Sequence, residues 1–220
     1  MLVLAVDSST RVASVALAKD SMILGEITSD NPKSHSEFVH PAIVELLKKN
    51  SATIDEIDLF AVDIGPGSFT GIRVAVNIIR TFAYLQSKMV FTRKSLELLL
   101  DQTQEDSLAA INAYKNMLFV ALKKSGSLVV HEAVIPAEGL EVFLNNHQVT
   151  KPLITLGDGF DFYQSLWSPN LKKTLQRDSR FSDHPSASIL ALQAHPTNDW
   201  KSIIPLYLRA SAAEENLKSK

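Results

Sequence analysis

The stretch from Gly65 to Val76, GPGSFTGIRVAV, constrains this chain more than any other. The run before it, Leu59-Phe60-Ala61-Val62-Asp63-Ile64, is short, apolar and partly β-branched, as a buried strand would be. From Ile72 onward the pattern predicts a helix with no breaker until Ser87. The glycines and the proline at the junction demand a sharp turn that exposes amide hydrogens at a helix N-terminus. Such an end carries a partial positive charge and suits anions and phosphates. Ser68 or Thr70 is placed to cap it.

Three standard chemistries fail on spacing. A P-loop needs Gly-Lys-Ser/Thr where this chain has Gly71-Ile72-Arg73. A dinucleotide fingerprint needs the third glycine one place earlier and an acid some way on, and none occurs before Glu97. A nucleophile elbow needs glycine two before and two after its serine, and Ser68 has it one before and three after. A strand-to-helix turn without a ligand stays open on local sequence alone.

Around this centre the elements repeat. Leu2–Val6, Val12–Ala18 and Met22–Ile27 read as a three-strand antiparallel meander, with Lys19-Asp20 as a tight turn. A helix is expected over Ser34–Lys49, with Pro41 a tolerable defect in its first two turns. After the central strand and helix come a strand over Lys88–Thr92 and a short helix over Ser95–Gln102. The order then restarts. Leu108–Ala113, Met117–Lys123 and Leu128–Val134 form a second meander turning at Ser125-Gly126. A helix over Pro136–Asn145 follows, then a strand over Pro152–Leu156 that ends in Gly157-Asp158-Gly159. Each half thus reads βββαβα, with a polar residue (Asp7, Asn112) closing its first strand. Two probable helices and the apolar Ile203–Leu208 lie beyond Ser165, and Glu214–Lys220 is a charged end expected to fray. The expected organisation is an N-terminal lobe over 1–104 and a smaller, degenerate lobe over 105–220.

Two facing βββαβα lobes are the α/β plan of the actin, sugar-kinase and heat-shock ATPase superfamily, a ribonuclease H-like duplication. This likeness concerns fold and carries no activity by itself. Composition narrows the classes further. With no cysteine among 220 residues, disulfides, thiol catalysis and thiolate metal sites are excluded. A net charge of −2 gives no whole-molecule attraction to nucleic acid or anionic membrane. The apolar N-terminus reaches Asp7 at once and lacks a basic leader, so a cytoplasmic protein is expected.

Leu4-Ala5-Val6-Asp7-Ser8-Ser9-Thr10, Ser34-His35-Ser36-Glu37 and Gly65–Arg73 taken together resemble the bacterial TsaB (YeaZ) family. The resemblance runs the whole length, is strongest over 1–100, and includes Pro205-Leu206-Tyr207-Leu208-Arg209 near the end. It implies a non-catalytic subunit of the machinery that installs threonylcarbamoyl on the tRNA adenosine beside the anticodon. Implied partners are a catalytic TsaD-like paralogue, a TsaE-like ATPase and, through the complex, tRNA; a homodimer is also open. No cofactor is expected on the chain alone, with ATP or ADP reserved for the interface of the complex. Two departures stand out. Asn112-Ala113-Tyr114 replaces the family's frequent Asp-Ala-Arg, and Ser95–Leu99 stands where the catalytic paralogue has its His-x-x-x-His metal motif.

The residues themselves allow several readings. Asp7, Ser9, Thr10, Gly65, Gly67, Ser68 and Arg73 are candidate vestigial nucleotide contacts, yet the hairpin after Asp7 lacks the glycines that let amides wrap phosphate. Asp7 has a structural alternative, holding the hairpin tip through Ser9 or Thr10. Gly67 is expected at positive φ. His35 and His40, five apart on a helix, cannot grip one ion, and no protein metal site is expected. Lys172, Lys173, Arg177 and Arg180 read as a solvated face or a tRNA contact, the former favoured because no aromatics are interleaved. A stand-alone ATPase or phosphotransferase, or a serine hydrolase built on Ser68, are the competing enzyme readings. Finally, the central helix carries one apolar face through Ile72, Ala75, Val76 and Ile79 and a second through Val74, Ile78 and Leu85. The first helix shows a similar surplus at Ile43, Val44 and Leu47. One face covers a sheet; the surplus is expected either to join the two helices or to bind a partner.

Overall fold

The computed structural model describes residues 1–29 and 35–209. The expected helix start at Ser34 and the charged stretch Glu214–Lys220 lie outside the described residues. Strands β1 (Leu2–Asp7), β2 (Ala13–Lys19) and β3 (Met22–Ser29) form an antiparallel meander. Helix α1 (His35–Lys49), strand β4 (Leu59–Asp63), helix α2 (Phe69–Leu85), strand β5 (Val90–Arg93) and helix α3 (Ser95–Leu100) follow. The first sheet has the order β3-β2-β1-β4-β5, with β4 and β5 parallel to β1.

The second half repeats the plan with β6 (Ser107–Asn112), β7 (Met117–Lys124), β8 (Ser127–Pro136), α4 (Leu140–Asn146), β9 (Leu153–Leu156) and α5 (Gly159–Tyr163). It continues through α6 (Pro169–Thr174), the two-residue strand β10 (Leu175–Gln176) and α7 (Ala187–Gln193). Its sheet reads β8-β7-β6-β9-β10 in the same sense as the first, which is the duplication expected from element order.

Boundaries moved where turn chemistry overrode the apolar pattern. The first hairpin turns at Asp20 and Ser21, with φ of 49° and 66°, because pairing persists to Lys19↔Met22. It is therefore one residue later than Lys19-Asp20. The second turns at Ser125-Gly126, as expected. Helix α2 begins at Phe69, not Ile72, since Ser68 caps it by accepting the Gly71 amide at 3.2 Å. Strand β8 runs through Pro136 as far as the sheet edge, so the helix expected from there starts only at Leu140.

The layers do not follow sequence order. Helices α1 and α2 cover one face of the first sheet, where Leu4, Val15, Phe60, Ile43 and Ile79 meet. Its other face is covered by α7 through Ala187, Leu190 and Ala191. Conversely α3, from the first half, lies on the second sheet through Leu96, Leu99 and Leu100, while its Leu98 reaches back to the first. All six residues of α3 are buried, which is why SLELLL is apolar around most of its circumference. Lys123, buried on β7, donates to the carbonyls of Leu100 and Thr103 at the C-terminal end of α3, and burial holds its pKa down. Each half of the sequence therefore lends its last α-helix to the other sheet.

The final described segment ties the halves again. Leu206 donates its amide to the Ile64 carbonyl at 2.7 Å, and Arg209 reaches the Ala113 and Tyr114 carbonyls at 2.6 and 3.0 Å. Leu190 is fully buried against the first sheet. Leu190→Ala should thus cost the first half about 2–5 kcal/mol. In urea unfolding, its midpoint should fall as a single transition; an unchanged midpoint would contradict the exchange of helices.

Candidate functional site

The site lies where β1 and β4 end side by side. Beyond Asp7 the chain makes the Ser8–Val12 hairpin, and beyond Asp63 it makes the glycine turn into α2. These two loops touch through backbone. The Ser68 amide donates to the Ser9 carbonyl at 2.6 Å, and the Ser8 hydroxyl donates to the Gly71 carbonyl at 2.7 Å. A Cβ on Gly67 would sit 2.0 Å from the Ser9 oxygen, and one on Gly71 would sit 1.9 Å from the Ser8 oxygen. The strained glycine is a different one: Gly65 has φ +100, and Gly67 is constrained by close approach instead of the positive φ expected for it.

The Ser68 amide, at this helix start, is therefore taken by the chain's own carbonyl. Ser68 Oγ is its cap, Thr70 is exposed, and no hydrogen bond joins Ser68 to a histidine among the described residues. His35 is buried, with Nε2 3.2 Å from the Arg11 carbonyl. Asp7 Oδ1 accepts the Ser9 amide at 3.0 Å, the hairpin-holding role weighed for it. The second lobe does the same with Asn112, whose Oδ1 accepts the Tyr114 amide at 2.8 Å and the Tyr163 hydroxyl at 2.7 Å. Asp158, from the second Gly-x-Gly turn, accepts the Asn112 amide at 3.0 Å. Gly157, at φ +108, leaves no room for a Cβ beside the Ala110 carbonyl.

Arg73 is also occupied. Its Nε donates to the Tyr207 hydroxyl at 2.8 Å and its guanidinium lies 3.9 Å over the Phe69 ring, which stacks on Tyr207. Between the lobes lies a cleft of about 180 Å³ lined by Ser9, Thr10, Ser68, Asn112 and Asp158, below the ~300 Å³ usual for a ligand pocket. A neighbouring cavity of about 410 Å³, sharing Thr10, Arg11 and Asp158 with it, is also lined by Asp161 and Asp183. Burial raises the pKa of Asp158 and of Asp183. Arg177 is spent on the Gly157 carbonyl, Asp161 and Asp183, and Arg180 on Asp178 and Glu105. The two arginines of the basic segment are thus paired with their own neighbours.

The surplus apolar faces divide. Ile43 and Leu47, expected at a partner interface, are core residues at 2% and 9% exposure, because α1 packs on α2 and on the sheet. Val74 and Ile78 are half-buried and pack on the same core. Val44 and Leu85 are open, at 52% and 65%. Sequence reasoning missed Asp63, fully buried beside Asp7. The signal was present: Leu4-Ala5-Val6-Asp7 and Phe60-Ala61-Val62-Asp63 are near-copies on neighbouring strands.

Two mixed five-stranded sheets of identical order, facing across a cleft, define a protein of the actin, sugar-kinase and heat-shock ATPase fold. An activator of 2-hydroxyisocaproyl-CoA dehydratase from Clostridium difficile shares that fold, with a TM-score of 0.50 at 8% identity over 100% of this chain and 98% of its own. A crystal structure from Pseudomonas aeruginosa, described as an uncharacterized protein with similarity to peptidase YEAZ, matches with a TM-score of 0.76. It is 25% identical over 94% of this chain and 99% of its own. The tRNA threonylcarbamoyladenosine biosynthesis protein TsaB of Bacillus subtilis is 25% identical over 97% of this chain and 96% of its own. Residues 23–217 match the family described as TsaD: tRNA N6-adenosine threonylcarbamoyltransferase. The chain belongs to that family, and within it to the TsaB (YeaZ) group.

Because Gly67 sits against backbone that cannot rotate away, Gly67→Ala should destabilise the fold by about 1–3 kcal/mol or more. Gly126, at φ +75 with nothing near its Cβ position, should lose only about 1 kcal/mol on the same change. Thermal melts of the two variants check this; equal losses would mean that the hairpin does not press on the turn.

Proposed function

We propose that this chain is a non-catalytic scaffold subunit in the synthesis of threonylcarbamoyladenosine on tRNA, at the adenosine beside the anticodon. It binds and supports a TsaD-like catalytic paralogue, with a TsaE-like ATPase joining them and tRNA reached through the complex. The observation that carries this reading is the Ser9 carbonyl on the Ser68 amide, which leaves this helix start one amide fewer for a phosphate. In the cavity beside the cleft Asp158 faces Arg11, while Asp161 and Asp183 are paired with Arg177, so it offers a triphosphate no unpaired cation cluster among the described residues. Nucleotide belongs, on this reading, at the interface of the complex and not on the free chain.

The partner surface centres on the outer side of α2. Val74, Ile78 and Leu85 together offer about 5–9 kcal/mol at most, and less here because the first two are already half-buried. Association costs roughly 4–15 kcal/mol, so the contact must be wider than that face. Val44 adds to it from α1, and Tyr84, at 58% exposure, adds to it beside Trp200, its edge-to-face neighbour at 4.8 Å. Helix α2 also has no acid, and Arg80 makes no ion pair among the described residues. A partner bringing apolar side chains and a carboxylate suits this face.

Leu85 is the cleaner probe than Ile78, since it lies outside the core. Leu85→Glu, alone or with Val44→Glu, should keep the fold and its circular dichroism while weakening association with the TsaD-like protein at least tenfold, measured by titration calorimetry. Unchanged binding by the double variant would remove this surface. The purified chain should hydrolyse ATP no faster than background; turnover that disappears in Asp7→Ala would restore the stand-alone ATPase.

A further inference from the structure

We infer that Asp7 and Asp63 share one proton at neutral pH, and that this proton latches the Ser8–Ser9 hairpin onto the start of α2. The parallel register Val3↔Leu59 through Val6↔Val62 delivers the two aspartates side by side at the ends of β1 and β4. Both are fully buried. Their inner oxygens are satisfied: Asp7 Oδ1 by the Ser9 amide, Asp63 Oδ1 by the Gly65 amide at 2.7 Å and the Ser95 hydroxyl at 2.8 Å. The outer oxygen of each, Oδ2, has no hydrogen-bond partner among the described residues, and the buried Ser9 hydroxyl, likewise without one, lies beside both carboxyls.

Among the described residues no cation answers the pair. Arg93, the register partner of Asp63 on β5, turns its guanidinium to Glu97 at 2.9 Å and Asp101 at 2.7 Å. Lys94, before α3, goes to Glu132 at 2.8 Å. Arg11, at the hairpin, is exposed, and its charge acts on Asp158. His35, on α1, meets the Arg11 carbonyl. Two dehydrated carboxylates in contact cannot both stay ionised. One proton between the two Oδ2 atoms satisfies both oxygens at once. Burial pushes both groups up, and Asp7 the further because Asp63 lies against it. Asp63, with two donors on its other oxygen, carries the charge. The titration belongs to the pair.

The mechanical consequence follows from the bonds. Asp7 fixes the Ser9 amide, and the Ser9 carbonyl takes the Ser68 amide. Asp63 fixes the glycine turn and the first residue of α3. Loss of the proton sets two like charges against each other between these loops, so the hairpin lifts from α2. Because the folded pair holds its proton more tightly than the unfolded chain, its stabilisation is complete below the ordinary aspartate range near pH 4 and is lost as pH rises toward the folded value.

Thermal melts from pH 5 to 9 on the full chain, with Asp7→Asn and Asp63→Asn as comparators, test this. The unaltered chain should lose about 3–5 °C of Tm per pH unit more than Asp7→Asn over the titrating range. Asp7→Asn keeps an N–H for the shared position and should melt above the unaltered chain at pH 8. Infrared spectra at pH 7 should show the C=O stretch of a neutral carboxylic acid that either Asn variant removes. If Asp7→Asn does not fold, Asp63→Asn replaces it in the melts, and the infrared band of the unaltered chain decides. Equal pH slopes, or no acid band at pH 7, overturn the shared proton. So does a rise in Tm with magnesium or sodium that the Asn variants lack, since a buried cation would then hold the pair.

Discussion

The rest of this structure depends on one backbone contact, the Ser9 carbonyl against the Ser68 amide. A helix start has amides with no partner in the helix, and something must meet them. In many proteins a ligand does so. Here the hairpin after β1 does, and its approach explains the sequence of the turn. Gly67 and Gly71 are small because Ser9 and Ser8 lie on them; Gly65 is glycine because its φ is +100. Ser8 and Thr10 are buried although polar, because the Ser8 hydroxyl bonds the Gly71 carbonyl and the Thr10 hydroxyl the Val12 carbonyl. The motif that suggests phosphate binding is accounted for by packing between two loops.

That contact sits between lobes locked together by exchange. Helix α3 belongs to the first half by sequence and to the second sheet by packing, and α7 is placed the other way round. Ser14 on β2 accepts the Ala187 amide at 2.9 Å, and Glu26 on β3 accepts the Ser186 hydroxyl at 2.9 Å, so the start of α7 is capped from the first sheet. Enzymes that open and close around a nucleotide need lobes that move apart. Two exchanged helices, the Lys94–Glu132 pair and Arg209 on the Ala113 carbonyl all resist such motion.

The fold was legible because it rests on order and periodicity. Short alternating strands, two-residue turns and a strand–Gly-x-Gly in each half are local features, and the sheets follow from them. Exchange of α3 and α7 was not legible, because SLELLL and ASILALQ show that these helices are buried but not against which sheet. The same limit misassigned Ile43 and Leu47. Surplus apolar residues on two neighbouring helices look alike whether they face each other or a partner, and the helices turned out to face each other. Asp63 was passed over because a charged residue closing an apolar strand looks like ordinary solvation. Only the register against Asp7 shows that it is buried between the strands.

Two motifs more than a hundred residues apart meet at Arg73. Its guanidinium rests on Phe69 and its Nε donates to Tyr207, so the GPGSFTGIR turn and the Pro205–Arg209 segment form one unit. Tyr207 is exposed at 40%, and a bond at that depth contributes only modestly to stability. Its larger effect is geometric. Arg73 lies on the outer side of α2, four residues before Asn77 and seven before Arg80, so fixing it fixes how that side is presented. Arg209, two residues beyond Tyr207, reaches the second lobe at Ala113 and Tyr114. The orientation of α2 is thus referred to both lobes at once. A partner that reads α2 together with this segment reads the relative placement of the lobes, which a surface confined to one helix would not report.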